Sequence, residues 1–413
     1  MKNFHINSLQ RGFTLIELMI AMLIGVFLMG GVIQIFLSAK QAYRLQENLS
    51  RLQENGRFAM DFITKDVRMA GFAGCASKIS VNNIATPVSP SPNPATIPTA
   101  AAAVVTVSGT SRGINGVDGA NVTASNWDGA AYPAACGTTP ANQCIAGTDV
   151  ISIQSATSCG GQLTSTTTGT QIQINTANTC GISTNDVLII ANCTTADIFV
   201  ANSYATGTGT IGYDTTSHNI AKGLSATYGT DAEILTAKLT SYFIRSGAGG
   251  IPSLYRIDNT KAASGTNPVE LIEGIENMQI LYGVDSDLAP DYLPNYYVDE
   301  SKIPPTIPTK NSTGTTVNAD GWTRVVSVRI TLLAVTPDNN LTDAQQPFLF
   351  NGTTYATTAN PIPQVCSNNG VIITTAPLDS TSPPACSSPN KLVNDLRIRR
   401  VFSSTIAVRN RLP

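Results

Sequence analysis

A few side chains in this 413-residue chain are of a type and spacing that could do chemistry. One is Glu17, the only ionisable side chain between Phe13 and Leu37. A carboxylate in such a run costs about 2.5 to 3.5 kcal/mol near a bilayer centre and less toward its edge, so it is either solvated among headgroups or has a partner. A second group is the eight cysteines, Cys75, Cys136, Cys144, Cys159, Cys180, Cys193, Cys366 and Cys386, all beyond that run. No two are spaced C-x-x-C, and His218 is the only histidine after residue 12. Disulfides in an oxidising compartment are therefore expected rather than zinc. Pairing Cys136 with Cys144 and Cys366 with Cys386 would close short polar loops.

Two further patterns resemble sites and are weak. Gly109-Thr110-Ser111-Arg112-Gly113 fits G-x-S-x-G, but a nucleophile elbow needs a helix next, and Ile114-Asn115-Gly116-Val117-Asp118-Gly119 follows. Asp285, Asp287 and Asp291 lie in a run from Glu270 to Glu300 that holds eight acidic residues and no basic one. An EF-hand would need a glycine where Pro290 stands and a glutamate where Tyr296 stands, leaving a calcium site of another kind or a solvated acidic surface. The counterpart is the basic end, Lys391, Arg397, Arg399, Arg400, Arg409 and Arg411 against Asp395. The two stretches are expected to meet, across a subunit contact or within a sheet. No enzymatic centre, cofactor or metal site is expected. With 13% charged residues and a net charge of -2, no nucleic-acid surface is expected either.

The elements that position these residues begin with the apolar run. A helix from Phe13 to Leu37 would reach roughly 38 Å, enough to cross a hydrocarbon core of about 30 Å. It lacks the order of a secretory signal: the basic leader (Lys2, Arg11) ends before the run, and no small-residue cleavage site follows it. The helix continues past Ser38, because Leu45, Leu49, Leu52, Gly56, Ala59, Ile63, Val67 and Ala70 form one stripe on a 3.6-residue period. Gly71 and Gly74 end it, and Gly30-Gly31 is a place where it could loosen. The stripe is expected to pack on the chain's own downstream domain.

Residues 77 to 202 turn to Thr, Ser, Ala, Asn and Gly, with short apolar runs at 104–107, 150–153, 172–174, 187–190 and 198–200 that read as strands. Longer strands are predicted over 233–245, 253–257, 269–282, 326–332 and 396–410. The fold class is α+β: a long N-terminal helix, its first half transmembrane, on a mainly antiparallel sheet. Segments are placed at 1–12 (leader), 13–37 (transmembrane), 38–74 (amphipathic), 75–230 (disulfide-stapled β region) and 231–413 (C-terminal sheet).

Arg11-Gly12-Phe13-Thr14-Leu15-Ile16-Glu17 resembles the processing site of type IV prepilins and type II secretion pseudopilins. The resemblance implies a prepilin peptidase that cuts between Gly12 and Phe13 and methylates the Phe13 amine. Glu17 then becomes the fifth residue of the mature chain and pairs with a neighbouring subunit's terminal amine. Further motifs, Asn55-Gly56-Arg57-Phe58, Asp66 to Phe72, Gly274 to Asp285, Trp322 to Leu333 and Thr405 to Asn410, resemble the PilW family of minor pilins. That implies a low-abundance subunit that primes pilus assembly with other minor pilins, contacts the major pilin through its N-terminal helix, and sits near the tip beside a large adhesin. The precursor would lie in the inner membrane with its globular part in the periplasm. A J-type pseudopilin of a type II secretion system shares this plan. A membrane-tethered extracytoplasmic binding module that never enters a filament is the alternative of another class.

Overall fold

The computed structural model describes residues 14–75, 81–83, 113–117, 144–213, 219, 223–258, 268–368, 371–374 and 391–409, apart from residues 146, 185, 248, 312, 358 and 363. One helix, Leu15–Arg68, opens it and runs without interruption through Gly30-Gly31. It contains no proline, and the apolar stripe keeps its period to the end. Met69 N–H and Ala70 N–H turn back to the carbonyls of Asp66 and Val67, tightening the last turn. Gly71 follows with φ 76°, a left-handed conformation that ends helices at little cost for glycine. The exit is then fixed to a sheet: Gly71 N–H donates to Gln154 O at 2.8 Å and Ala156 N–H to Phe72 O at 2.9 Å.

The first sheet has eight strands and is organised on Glu233–Ser246. One edge of that strand carries Val150–Gln162. Its other edge is divided, with Val187–Ala191 beside residues 233–236 and Pro252–Asp258 beside residues 240–246. Val269–Glu273, Ala196–Val200, Ile114–Val117 and Val81–Asn83 complete it; the last pairs in parallel and the rest antiparallel. Strands from both sides of residue 230 thus share one sheet. Gln171–Gln173, Ser203–Ala205 and Thr210–Gly212 form a small sheet over a core that includes Ile172, Leu188, Phe199 and Tyr228.

The second sheet runs Tyr296–Val298, Ile275–Val284, Val325–Val335, Arg399–Ala407, antiparallel throughout. The strand Val325–Val335 shows the predicted alternation in part: Val326, Val328, Ile330 and Leu332 are buried and Arg329 is exposed, but Thr331 is half-buried and Ser327 is buried beneath Tyr297, whose hydroxyl it meets at 3.0 Å. The stretch 269–282, read from sequence as one strand, is two. Gly274, at φ 80°, breaks it, and its halves belong to different sheets.

The helical stripe is buried from Leu52 onward, where Leu52, Ala59, Ile63, Val67 and Ala70 are 2% exposed or less, while Leu45 and Leu49 at its start are half-buried. Burying each large member stabilises by about 1.5 to 3 kcal/mol. Gly56 is part of the contact, since a Cβ there would lie 2.2 Å from Cε2 of Phe402 on the second sheet. Gly→Ala inside a helix ordinarily gains about 0.5 to 1 kcal/mol. Here overpacking costs about 1 to 3 kcal/mol, so the net sign reverses. Gly56→Ala should lower the melting temperature of the detergent-purified protein, and adding Phe402→Leu should restore part of the loss.

Candidate assembly site

At the helix N-terminus Thr14 and Glu17 form a capping box. Thr14 N–H and Oγ1 donate to Glu17 Oε2 at 3.0 and 2.8 Å, and Glu17 N–H donates to Thr14 Oγ1 at 3.3 Å. The carboxylate satisfies helix-end donors and is exposed. It is therefore ordered without a partner chain, and its other oxygen is open to one. The helix that follows is long and apolar enough to cross a membrane, by length and composition. From Leu15 to Leu37 its large apolar side chains are 51 to 77% exposed. That surface would be costly in water and needs lipid or other apolar helices as cover.

The helix's last turns are fixed to the first sheet by polar contacts the sequence reading did not single out. Asp66 accepts from Tyr242 OH at 2.7 Å and from Lys238 Nζ at 2.9 Å. Burial, followed by the Asp66 charge, pushes the Tyr242 phenol well above its usual range, so it remains a donor.

The second sheet buries a group of four charges. Arg399 Nε and Nη2 reach Glu276 at 2.6 and 2.8 Å, Arg399 Nη2 also reaches Asp395 at 2.5 Å, and Arg397 bonds Asp395 through Nε and Nη2. Burial alone would raise the Asp395 carboxyl, but the two guanidiniums, Arg399 foremost, hold it below the usual carboxylate range. The expected meeting of acidic run and basic end thus occurs within the sheet, and Arg399 is unavailable to a subunit contact.

Asp285 is 1% exposed and pairs with Arg324 at 2.8 Å, which corrects its reading as a member of a solvated acidic surface. Carboxylate oxygens of Asp285, Asp287 and Asp291 lie within 4.8 Å of one another. Those of Asp285 are committed to Arg324, Asp287 N–H and Tyr292 N–H. A strand, Ile114–Val117, follows Gly113 where a nucleophile elbow would require a helix.

Two disulfides are described, Cys75–Cys193 with Cα atoms 5.1 Å apart and Cys159–Cys180 at 4.7 Å. Cys144 is disulfide-bonded too. The expected pairings Cys136–Cys144 and Cys366–Cys386 depend on residues outside the described set, as do Gly12, Phe13, Ser111 and His218. Asp66, Glu276 and Arg324 lie within the motifs quoted above and Tyr242 within a predicted strand, but nothing in their spacing marks the buried pairings they make.

Residues 241–410 match the family described as Type IV Pilus-assembly protein W, and residues 7–33 match the Prokaryotic N-terminal methylation motif. The two matches fall on the second sheet with its approach and on the start of the helix; residues 34–240 lie outside both. No curated protein matches the chain. Among solved structures, a type IV-like pilin from Thermus thermophilus is similar at 14% identity over 43% of this chain and 67% of its own, with a TM-score of 0.18. At that score the fold reading rests on this chain's own helix and sheets.

Removing one partner of a buried ion pair costs about 3 to 5 kcal/mol, whereas an exposed charge changes stability by about 0.5 kcal/mol or less. Arg399→Ala should therefore shift chemical denaturation strongly and Arg400→Ala hardly at all. Asp395 has a folded-state pKa below its unfolded value of about 3.9, so its contribution is present above that pH and is lost only as pH falls through the depressed value. Denaturation midpoints followed from pH 7 to about pH 5 should show no loss from this group, with the loss setting in below about pH 4.

Proposed function

We propose that this chain, which belongs to the PilW family of type IV pilus-assembly proteins, is a minor pilin that primes filament assembly and stands in a tip complex with other minor pilins. The observation that carries the reading is the pairing of matches in one chain: a methylation motif at the head of a helix whose first half is apolar and exposed, and the pilus-assembly family over residues 241–410, which hold the second sheet. The motif supports cleavage between Gly12 and Phe13 by a prepilin peptidase and methylation of the new amine. Its cut would fall just ahead of the capping box, leaving Phe13 beside the Thr14–Glu17 pair.

Glu17 then has two roles. Within the chain its carboxylate caps its own helix. In an assembly of apolar helices, an uncompensated carboxylate would be desolvated, and the terminal ammonium of an adjoining subunit would offset that cost. Register follows from the geometry: an apolar helix can slide along another, but a charge pair closes at one offset. The globular part would face the periplasm before extraction from the inner membrane, consistent with its disulfides. A body this large suits a subunit placed once or a few times better than one repeated along a thin fibre. A large tip adhesin is a fitting neighbour.

Intact mass and N-terminal sequencing of the chain from sheared filaments and from membranes test the proposal. A chain beginning at methylated Phe13, at trace level in filaments, is expected. Glu17→Gln keeps the side chain's shape and removes its charge; it should be processed normally and be reduced at least about tenfold in filaments, the loss of a desolvated pair. A chain still starting at Met1 and confined to membranes would leave a tethered binding module instead. Lost protein secretion with normal pili after gene deletion would favour a type II secretion pseudopilin.

A further inference from the structure

Between Ile275–Val284 and Tyr296–Val298 the chain makes a compact loop, Asp285 to Asn295, whose ends meet through Asn295 N–H on Val284 O at 2.9 Å. Inside it, Asp285 accepts from Asp287 N–H at 3.0 Å and Tyr292 N–H at 3.0 Å. From below, Arg324 donates Nε to Asp285 O at 2.9 Å and Nη2 to Asp285 Oδ1 and Asp287 O, each at 2.8 Å. Asn295 Oδ1 accepts from Ser286 N–H and Oγ, and Lys310 N–H of the adjoining hairpin donates to Leu288 O at 2.8 Å. Tyr292 is held at φ 62°, a conformation that costs a bulky side chain on the order of 1 to 3 kcal/mol. Such a loop is held in one shape.

What this support presents to solvent includes two leucines among polar side chains. Leu288 is 45% exposed and Leu293 64% exposed. The supporting pair, Asp285 with Arg324, is itself buried and contributes to no surface.

The charges select what could cover it. Asp287 and Asp291 flank the leucines, and no basic residue occurs from Glu270 to Glu300. On adjoining segments Arg324 is taken by Asp285 and Lys302 by Asp299, while Lys310 stands exposed on the hairpin. An anionic lipid surface would meet carboxylates first and be repelled. An apolar pocket rimmed by Lys or Arg would meet both features at once, and a preformed loop loses little freedom on docking.

We propose that the Asp285–Asn295 loop is a docking element, inserting Leu288 and Leu293 into a basic-rimmed apolar pocket on the globular part of another prepilin-type subunit. The class of partner rests on the filament reading above; the loop's role as an interface rests on its own geometry. Arg324 and Asp285 are positioning residues, and the leucines make the contact.

A photo-crosslinking amino acid placed at Leu293 in the full-length chain, in cells, tests this, with adducts mapped by mass spectrometry. The expected product joins residue 293 to the globular part of another prepilin-type subunit, at a peptide with Lys or Arg beside apolar side chains. Asp287→Lys with Asp291→Lys should reduce its yield several-fold. Leu288→Ser with Leu293→Ser should leave the melting temperature unchanged and lower co-purification with that subunit by about tenfold or more. An adduct to lipid, an adduct only to proteins lacking a prepilin-type N-terminus, or none at all overturns the docking proposal. The chain's presence in filaments, scored by mass in the same cells, reports separately on the filament reading.

Discussion

The structure depends on one face of one helix being covered by sheet. Leu52, Ala59, Ile63 and Val67 lose their water only because strands lie against them, and Gly56 is a glycine because the Phe402 ring takes the space a side chain would fill. Neither partner suffices alone. A lone helix of that composition would be marginal in water, and each sheet would expose an apolar face. The polar contacts sharpen this burial: Asp66 with Tyr242 and Lys238, and Gly71 with Gln154, set where along the sheet the helix must end. Apolar packing provides most of the energy, and these few directional bonds provide the register.

Charge is treated in two ways along the chain. Within the second sheet and its adjoining loop, it is neutralised locally. Glu276 and Asp395 meet Arg397 and Arg399, and Asp285 meets Arg324, so no described member of these groups is a lone buried ion. Buried pairs of this kind add little net stability over apolar residues of equal size, but they penalise every arrangement that separates them. In a β-rich chain with strands of similar composition, such a penalty discriminates against slipped registers, because a shift by one residue moves a charge to the wrong face. At the helix start the treatment is opposite: Glu17 is exposed, half satisfied by its own turn, and free to be completed from outside.

How much of this was legible in the sequence follows from what sets each feature. The helix, its end near Gly71 and its buried stripe were readable because periodicity and breakers are local properties of the chain. So were strands over 233–245, 253–257 and 326–332, runs of β-forming residues bounded by turn signals, which are strands within 233–246, 252–258 and 325–335. The split at Gly274 was missed because the stretch was read as one run, whereas the left-handed backbone at that glycine sends its two halves into different sheets. The cysteine pairs 75–193 and 159–180 were out of reach for another reason: Cys75 and Cys193 are 118 residues apart, and short loops were the only guide available. The ion cluster was half readable. That the acidic and basic stretches would meet followed from their opposite charge; that Arg399 would be buried required knowing which end of its strand lies beside Glu276.

What remains unpartnered in a chain this well satisfied is where function is to be sought. The described ion pairs close on themselves, the stripe is covered, and the strained Tyr292 is held by bonds that make the loop rigid. Among the described residues, the exposed large apolar side chains include the Leu15–Leu37 run and the loop leucines Leu288 and Leu293. On the proposed function, the first is a continuous apolar helix that would slide along an apolar neighbour unless a charge pair at Glu17 fixed the offset. The second is small and rigid, and on the proposed docking its shape and charge would admit one orientation of a partner. A subunit that joins others through an apolar helix needs directional contacts besides that helix before its body has a single place in an assembly.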